Sequence, residues 1–320
     1  MVHIAVDGLS VVYRKTEPRP GLRGRLKDLV SPVRKDVWAL RGITFEVEQG
    51  ECVAYIGPNG SGKTTTVKVL SGILKPSGGR VRVLNHEPIR RSPEFLAQIG
   101  LVLGAKSQLW PDLPALDTFL FLKEIYRLSD SEFNTRLKYL STLFEVEGLV
   151  RTPVRLLSHG ERVKMQLICS VLHGPKVLFM DEPTLGLDMW ARAAVHDFIL
   201  KSVRDLGTTV LLTSHNLDDV DRLCDRIIVL NEGQIIYDGR KAALREQFNR
   251  LRKVSISGIA PGVQQGWAVP LEVLDEGPQT LTLVVPVETL AVINELAGPG
   301  TSITVESVPL EYMIRKLVGK

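Results

Sequence analysis

A glycine-rich segment of eight residues is the first feature of the sequence that could do chemistry. Residues 57–64 read Gly-Pro-Asn-Gly-Ser-Gly-Lys-Thr and fit the pattern G-x-x-x-x-G-K-[ST] at every fixed position. Glycines let the backbone turn sharply enough to point successive N–H groups at an anion. A strand-like apolar run, 52–56, precedes the segment, and a helix-like run, 65–70, follows it with its positive N-terminus. The sequence therefore predicts a loop that binds phosphate groups.

Two side chains of this loop have specific expected roles. Lys63 is expected to reach the β- and γ-phosphates of a nucleotide. The hydroxyl of Thr64 is expected to bind Mg²⁺, since this hard cation prefers oxygen ligands. Phosphate binding alone does not separate kinases, GTPases and ATPases. The residues expected to contact nucleotide here are Gly57, Pro58, Asn59, Gly60, Ser61, Gly62, Lys63, Thr64 and Thr65.

Two consecutive acids follow a second apolar run and supply further chemistry. The run 177–180 leads directly into Asp181 and Glu182, and ligand sites of α/β proteins lie at such strand ends. Alternation along a strand points the two carboxylates in different directions, so we expect Asp181 to address Mg²⁺ and Glu182 to polarise an attacking water. There is no N/TKxD-type tetrapeptide of the kind that reads guanine, so GTP is disfavoured.

These motifs together resemble those of an ATP-binding cassette (ABC) ATPase. Residues 157–161, Leu-Ser-His-Gly-Glu, resemble the LSGGQ signature, and 177–183 resemble Walker B. The D-loop is matched by 186–188 and the H-loop by 214–215, in the order and spacing of the family. The resemblance covers about residues 2–244. The tail at 302–312 is similar to the C-terminal extensions of cassettes that serve multidrug-type export permeases.

Periodicity and the resemblance predict the same architecture. We expect an α/β P-loop NTPase fold with a mixed central sheet, an N-terminal antiparallel β part and a helical insertion at about 106–160. The expected nucleotide-binding domain is 1–245. A change of texture after about residue 252 predicts a small C-terminal α+β accessory domain at 253–320.

The resemblance also implies roles for residues outside the loop. Tyr13 would stack on adenine, and His215 would contact the γ-phosphate and hold the water in line with Glu182. Ser158, Gly160 and Glu161 would face the ATP of a second subunit, so that two copies, as a homodimer, enclose two shared sites. Asp188 would couple these two sites.

The sequence departs from the family pattern at three positions. His159 replaces the second glycine of the signature, and Glu161 replaces its glutamine. The family's Q-loop glutamine aligns with Ala105, so Gln108, three residues later, is the candidate that would replace it as a magnesium ligand.

Composition narrows the possible functions. The 320 residues carry a net charge of +4, and the three cysteines have no metal-ligand spacing. The longest uninterrupted apolar run, 52–56, is far shorter than the ~20 residues of a membrane span, and residues 1–7 do not have the pattern of a signal peptide. The resemblance implies a Mg²⁺-dependent ATPase that drives a separate integral-membrane permease for export. We expect it at the cytoplasmic face of the membrane, with no nucleic-acid partner. The alternative is a soluble ABC-type ATPase in repair, translation or assembly; a P-loop small-molecule kinase is a weaker one.

The segment from Arg14 to Lys35 has the largest charge imbalance of the sequence, with eight basic and two acidic residues. Apolar residues within it recur at the spacing of a short amphipathic helix. Two interpretations stay open: a solvated helix packed on its own domain, or a surface for a membrane or a partner.

Overall fold

The computed structural model describes residues 1–16, 34–103, 108–259, 262, 266–267, 269–298 and 300–319. The predicted amphipathic helix in the basic segment and the position of Ala105 lie outside these residues. The described chain divides into two compact units, Met1–Asp238 and Gly239–Lys320. This division falls earlier in the sequence than the boundary that we expect from the motifs.

Three antiparallel strands open the first unit. They are β1 (Val2–Thr16), β2 (Arg34–Glu48) and β4 (Gly78–Val83), in the order β2-β1-β4. Ile43, Phe45 and Val47 alternate with exposed residues along β2 and are nearly fully buried, as the period-2 pattern predicts. This sheet is the predicted N-terminal antiparallel part.

A six-stranded sheet forms the centre of the first unit. Its strands are β3 (Cys52–Ile56), β5 (Ile99–Leu103), β6 (Val177–Asp181), β7 (Thr209–Thr213), β8 (Arg226–Asn231) and β9 (Gln234–Arg240). Their order is β5-β6-β7-β3-β8-β9, and the pairs from β5 to β8 are parallel. The carboxyl ends of β3, β6 and β7 therefore meet at one edge of the sheet. The predicted α/β class is confirmed.

Helices cover this sheet and build the predicted insertion. They are α1 (Lys63–Leu70), α2 (Pro93–Leu96), α3 (Ala115–Tyr126), α4 (Asp130–Leu143), α5 (His159–Val171), α6 (Met189–Leu206) and α7 (Leu217–Leu223). Helix α4 begins with a capping box in which Ser129 and Glu132 satisfy each other's backbone N–H. Within the described residues, no helix combines the length and apolar character that crossing a bilayer requires.

The second unit is a small α+β domain. It contains α8 (Lys241–Gln247), β10 (Leu251–Ser257), β11 (Glu272–Glu276), β12 (Thr280–Pro286), α9 (Leu290–Ala297), β13 (Ser302–Ser307) and α10 (Leu310–Leu317). The antiparallel sheet has the order β11-β12-β10-β13. Its core joins Val254 and Leu283 from the sheet with Ile293 from α9.

Candidate functional site

The glycine-rich loop connects the buried strand β3 to helix α1. Gly57 has φ +154°, and a Cβ there would lie 2.0 Å from the carbonyl oxygen of Leu230. Gly62 has φ +113°, and a Cβ there would lie 2.6 Å from the carbonyl oxygen of Ala39. The fixed glycines are thus required because the loop runs against neighbouring backbone in conformations that side chains disfavour. Gly62 is also the N-cap of α1 and supplies no side chain to its free N–H groups, which stay available to an anion.

Lys63 lies inside this loop. Its Nζ donates to the carbonyl oxygens of Gly57, at 2.7 Å, and Pro58, at 3.1 Å. Burial lowers the pKa of Lys63, while the nearby carboxylates of Glu182 and Asp181 act in the opposite direction. The ammonium group is therefore held at the mouth of the loop, in the field of two acids.

Asp181 connects the loop to the two central strands that end beside it. The Thr64 hydroxyl donates to Asp181 Oδ2 at 2.9 Å, and the Thr213 hydroxyl donates to Asp181 Oδ1 at 2.6 Å. Hydroxyl and carboxylate oxygens thus converge at one point beside Lys63. They are the donor types that Mg²⁺ prefers, so Thr64 and Asp181 fit this ion.

Glu182 and His215 form the second acidic arrangement. Glu182 adopts φ +55°, which is uncommon for a residue with a side chain, and its N–H donates to the carbonyl oxygen of Thr213 at 3.1 Å. The backbone N–H of His215 donates to Glu182 Oε2 at 3.1 Å, while His215 Nε2 lies 3.4 Å from Oε1. That second contact lacks hydrogen-bond geometry, so buried Oε1 has no hydrogen-bond partner. A carboxylate oxygen with free acceptor capacity is what the activation of water requires.

A buried polar network lies behind these loops. Asp219 accepts hydrogen bonds from His196 Nε2 at 2.7 Å and from the hydroxyl of Thr184, and the hydroxyl of Ser214 lies within 3.4 Å. All four side chains are less than 5% exposed. Burial raises the pKa of Asp219, but the hydrogen bonds from His196 and Thr184, with nearby Arg192, outweigh it and leave the pKa below its usual value.

This network is absent from our sequence-based site prediction. Thr184 follows Glu182 by two residues, and Ser214 immediately precedes His215. In the sequence, the only sign of the network is a polar residue, Thr184 or Ser214, next to each motif. The sequence does not show that these residues share a partner, because His196 and Asp219 belong to different helices.

The signature residues begin helix α5. Ser158 is its N-cap: its hydroxyl accepts from the Glu161 N–H at 3.3 Å, and its own N–H donates to Glu161 Oε2 at 2.7 Å. Glu161 is thus engaged in a capping box. Gly160 lies against Ala191, where an added Cβ would be 3.4 Å from the Ala191 Cβ. Among the described residues, no hydrogen bond or ion pair joins 158–161 to the loop 57–64.

His159, which replaces the second glycine of the signature, and Asp188, in the D-loop, both make contacts within this chain. His159 Nε2 lies 3.5 Å from the carbonyl oxygen of Leu185 and faces Gly186. Asp188 is the N-cap of α6, where its Oδ1 accepts from the Ala191 N–H at 2.8 Å. The histidine of the signature therefore contacts the D-loop of its own chain.

Two predicted site residues lie at the margins. The Tyr13 hydroxyl lies 3.4 Å from Thr65 Oγ1, so the tyrosine stands at the start of α1 with 37% of its surface exposed. Gln108 Nε2 instead donates to the carbonyl oxygen of Leu101 at 3.2 Å. No hydrogen bond of the described residues brings Gln108 to Thr64 or Asp181.

Comparison of this chain with known proteins identifies its relatives. A family model described as "ABC transporter" matches residues 40–185. The ABC transporter ATP-binding protein NatA of Bacillus subtilis (strain 168) is 30% identical over 232 residues, which are 72% of this chain and 94% of NatA. The daunorubicin resistance ATP-binding protein DrrA3 of Streptomyces coeruleorubidus is 38% identical over 215 residues, and the match spans 66% of each chain.

A solved structure shares the fold. The dimeric ATP-binding cassette in a post-hydrolysis state with ADP and phosphate is 23% identical, with a TM-score of 0.61, and the match covers 74% of this chain and 98% of that chain. At this identity the likeness concerns the fold.

Proposed function

Because this chain belongs to the ABC transporter family, and is an ATP-binding and ATP-hydrolysing subunit of such a transporter, we propose that it forms a homodimer around two Mg²⁺-ATP and drives a separate membrane permease for export. The observation that carries the catalytic part is the convergence of Lys63, Asp181 and Glu182 at the carboxyl edge of the central sheet. The drug resistance in the name of DrrA3 supports export, because carrying a drug out of a cell confers resistance to it.

In this proposal, each side chain of the site has a part in phosphoryl transfer. The backbone N–H groups of the loop, except at Pro58, which has none, together with those at the start of α1 and the ammonium of Lys63, bind and orient the phosphates. Thr64 and Asp181 would hold Mg²⁺, which supplies charge neutralisation on the phosphate oxygens when bound. The free oxygen of Glu182 accepts a proton from, or orients, the attacking water. His215, held by its backbone to Glu182, contacts the γ-phosphate.

The second subunit completes the site. The corner 158–161 presents the start of a 13-residue helix, α5, and makes no described polar contact with its own loop, so it is free to face another copy's nucleotide. Around Asp188, the side chains of Leu185, Met189 and Trp190 are 65%, 72% and 78% exposed. Such a cluster of exposed apolar groups beside the D-loop is suited to burial in a dimer.

The helical insertion carries the surface that we propose for the permease. Trp110, Leu113, Phe121 and Ile125 are 41%, 44%, 49% and 54% exposed, and the rings of Trp110 and Phe121 lie 5.3 Å apart. Aromatic residues are enriched at the centres of protein interfaces. A subunit docked through this surface would lie peripherally on the cytoplasmic face of the membrane.

The two parts of the chain have different roles in this proposal. Residues 1–245 form the nucleotide-binding domain, and residues 253–320 form an accessory domain.

The proposal is tested by purifying the full chain together with the membrane protein that accompanies it. We expect a multi-helix permease, whose presence stimulates ATP hydrolysis, and outward transport in a reconstituted vesicle. Phe121→Asp should abolish association while leaving the ATPase activity of the isolated chain intact. Ile73→Asp, at a residue that is 48% exposed and lies outside the helical insertion, is the control and should still associate. Copurification with ribosomes or DNA in place of a permease would instead favour the soluble class of ABC ATPase.

A further inference from the structure

A cavity of about 640 Å³ lies in the first unit, away from the site described above. It opens where strands β6 and β7 begin, beside Lys176, Leu178 and Thr208, whereas the nucleotide site lies where those strands end. The helical insertion forms the facing wall through Arg136 and Tyr139 of α4. Its volume falls within the range of small-molecule sites, which is roughly 300–1,000 Å³.

The floor of this basal cavity is apolar. Leu140, Val171, Leu178 and Phe198 line it, and each is at most 8% exposed. At the rim, Tyr139 and Leu206 are 49% and 70% exposed. A ligand with a hydrocarbon body would remove this apolar surface from water, which is the main favourable term for such binding.

The charges that line the cavity have one sign. Arg136 and Lys176 are lining residues, and no Asp or Glu is among the lining residues of the described chain. Glu132, one turn before Arg136 on α4, accepts hydrogen bonds from the N–H and hydroxyl of Ser129 and interacts electrostatically with Arg136, but it lies outside the cavity lining. The two cations are therefore not neutralised within the cavity itself.

Arg136 is held in place for binding. Its Nη1 donates to the carbonyl oxygen of Leu172 at 3.2 Å, and its guanidinium lies over Gly174, where a Cβ would come within 3.1 Å. One donor thus fixes the group, and the remaining N–H groups are left for another acceptor. His3, also lining the cavity, donates or accepts at Thr209 Oγ1 at 2.8 Å. Burial, together with nearby positive charge that includes Lys176, lowers the pKa of His3, so the imidazole adds little charge of its own.

We propose that the basal cavity binds a small amphipathic carboxylate, with its hydrocarbon body on Leu178 and Phe198 and its head group between Arg136 and Lys176. A guanidinium matches a carboxylate with two parallel hydrogen bonds, and charge-assisted bonds of this kind are the stronger class. Because α4 belongs to the insertion and β6 to the central sheet, the ligand contacts both parts of the first unit. This inference stands independently of the nucleotide site and of the permease.

The test measures binding of decanoate, below its critical micelle concentration, to the full chain by isothermal titration calorimetry. We expect saturable binding at one site per chain, and decanol, which lacks the charge, to bind at least fivefold more weakly. Arg136→Gln and Lys176→Gln should each weaken decanoate binding by about fivefold or more. Lys138→Gln, an exposed position of the same helix outside the cavity, is the matched control and should bind as the parent chain does.

Several outcomes would overturn this assignment. They are the absence of saturable binding, equal affinity for decanoate and decanol, or equal binding by Lys176→Gln and the parent chain. Lys176 is exposed, so this last variant remains informative if Arg136→Gln fails to fold. Retention on phosphatidylglycerol vesicles that depends on Arg136, without binding of free decanoate, would assign the cations to a lipid surface and also reject the proposal.

Discussion

His196 Nε2 lies 2.7 Å from Asp219 Oδ1, and this buried pair joins helix α6 to helix α7 behind the loops that carry Glu182 and His215. Through Asp219 the pair also reaches Thr184, which follows Glu182, and Ser214, which precedes His215. The segments that carry Glu182 and His215 are thus anchored on a single carboxylate.

Replacing Asp219 by Asn should destabilise the chain. The amide keeps the size of the side chain but places an N–H₂ where one carboxylate oxygen accepts, so a buried polar group loses its partner. We expect the free energy of unfolding to fall by about 2 kcal/mol, measured by urea denaturation. The exposed neighbour Asp218 provides the control: Asp218→Asn should change stability by less than about 0.5 kcal/mol. Equal effects of the two substitutions would contradict the anchoring role.

Changing Glu182 to Gln should separate ATP binding from hydrolysis. The amide preserves the shape and the contact from the His215 N–H but removes the basic oxygen. We expect ATP affinity to be retained, turnover to fall by at least about 100-fold, and an ATP-dependent dimer to accumulate in size-exclusion chromatography. Turnover close to that of the parent chain would reject a catalytic role for this carboxylate.

Replacing Lys63 by Ala should remove nucleotide retention. The ammonium at the mouth of the loop is the charge closest to the backbone cradle, and its loss leaves the phosphates without their main side-chain counter-charge. We expect the Kd for ATP to rise by at least about tenfold, measured by equilibrium binding of a fluorescent analogue. Lys68→Ala, on the same helix outside the loop, should bind ATP normally; unchanged affinity in Lys63→Ala contradicts the assignment.

Tyr13 gives a test of base recognition. Its hydroxyl lies 3.4 Å from Thr65 Oγ1 at the start of α1, and stacking on an adenine ring contributes about 1–3 kcal/mol per base in other proteins. Tyr13→Ala should therefore raise the Kd for ATP by about fivefold or more, while Tyr13→Trp should preserve it. If the alanine variant binds ATP like the parent chain, the base lies elsewhere.

His173 should make the stability of the chain depend on pH. The ring is buried, stacks on Tyr126 with centroids 4.0 Å apart and hydrogen-bonds the carbonyl oxygen of Ile99. Burial lowers its pKa to about 4, from 6.5. Between these values the unfolded chain binds more protons than the folded one, so stability rises with pH and is lost as pH falls below about 6.5.

The measurement is the free energy of unfolding at pH 6.5 and at pH 5. The expected contribution of His173 is a loss of about 1.6 kcal/mol over this interval. His173→Gln keeps a donor for Ile99 but does not titrate, so its stability should fall by correspondingly less over the same interval. The same pH dependence in both proteins would place the titrating group elsewhere.

The sequence predicts those parts of the site that are local in the chain. The strand, loop and helix at 52–70 follow from one apolar run and a glycine pattern, and the acids at 181–182 follow from their place after a buried strand. Glu161 is different: the S-x-x-E spacing at 158–161 already indicates a capping box, yet the resemblance alone led us to expect a nucleotide contact there. The capping contact at Ser158 supplies a local role for its carboxylate.

Tertiary contacts explain what the sequence did not predict. His196 and Asp219 are 23 residues apart on two helices, so their positions in the sequence do not indicate that they meet. The amide nitrogen of Gln108 donates to Leu101, a contact that leaves Oε1, the atom that would bind a metal, unused, so the metal-binding role of Gln108 stays a prediction. Nothing in the sequence distinguishes Arg136 and Lys176 from other surface cations. They line one cavity only because the fold packs α4 near the start of β6.

Because His159 contacts the segment 185–186, the effect of a substitution at either of these places depends on the residue at the other. A side chain at Gly186 would bring its Cβ to 3.2 Å from the imidazole, in addition to the strain of φ +73°. Part of the cost of any exchange at 186 is therefore set by the residue at 159, and the two substitutions are non-additive. In engineered or naturally diverged variants, we therefore expect residues 159 and 186 to change together.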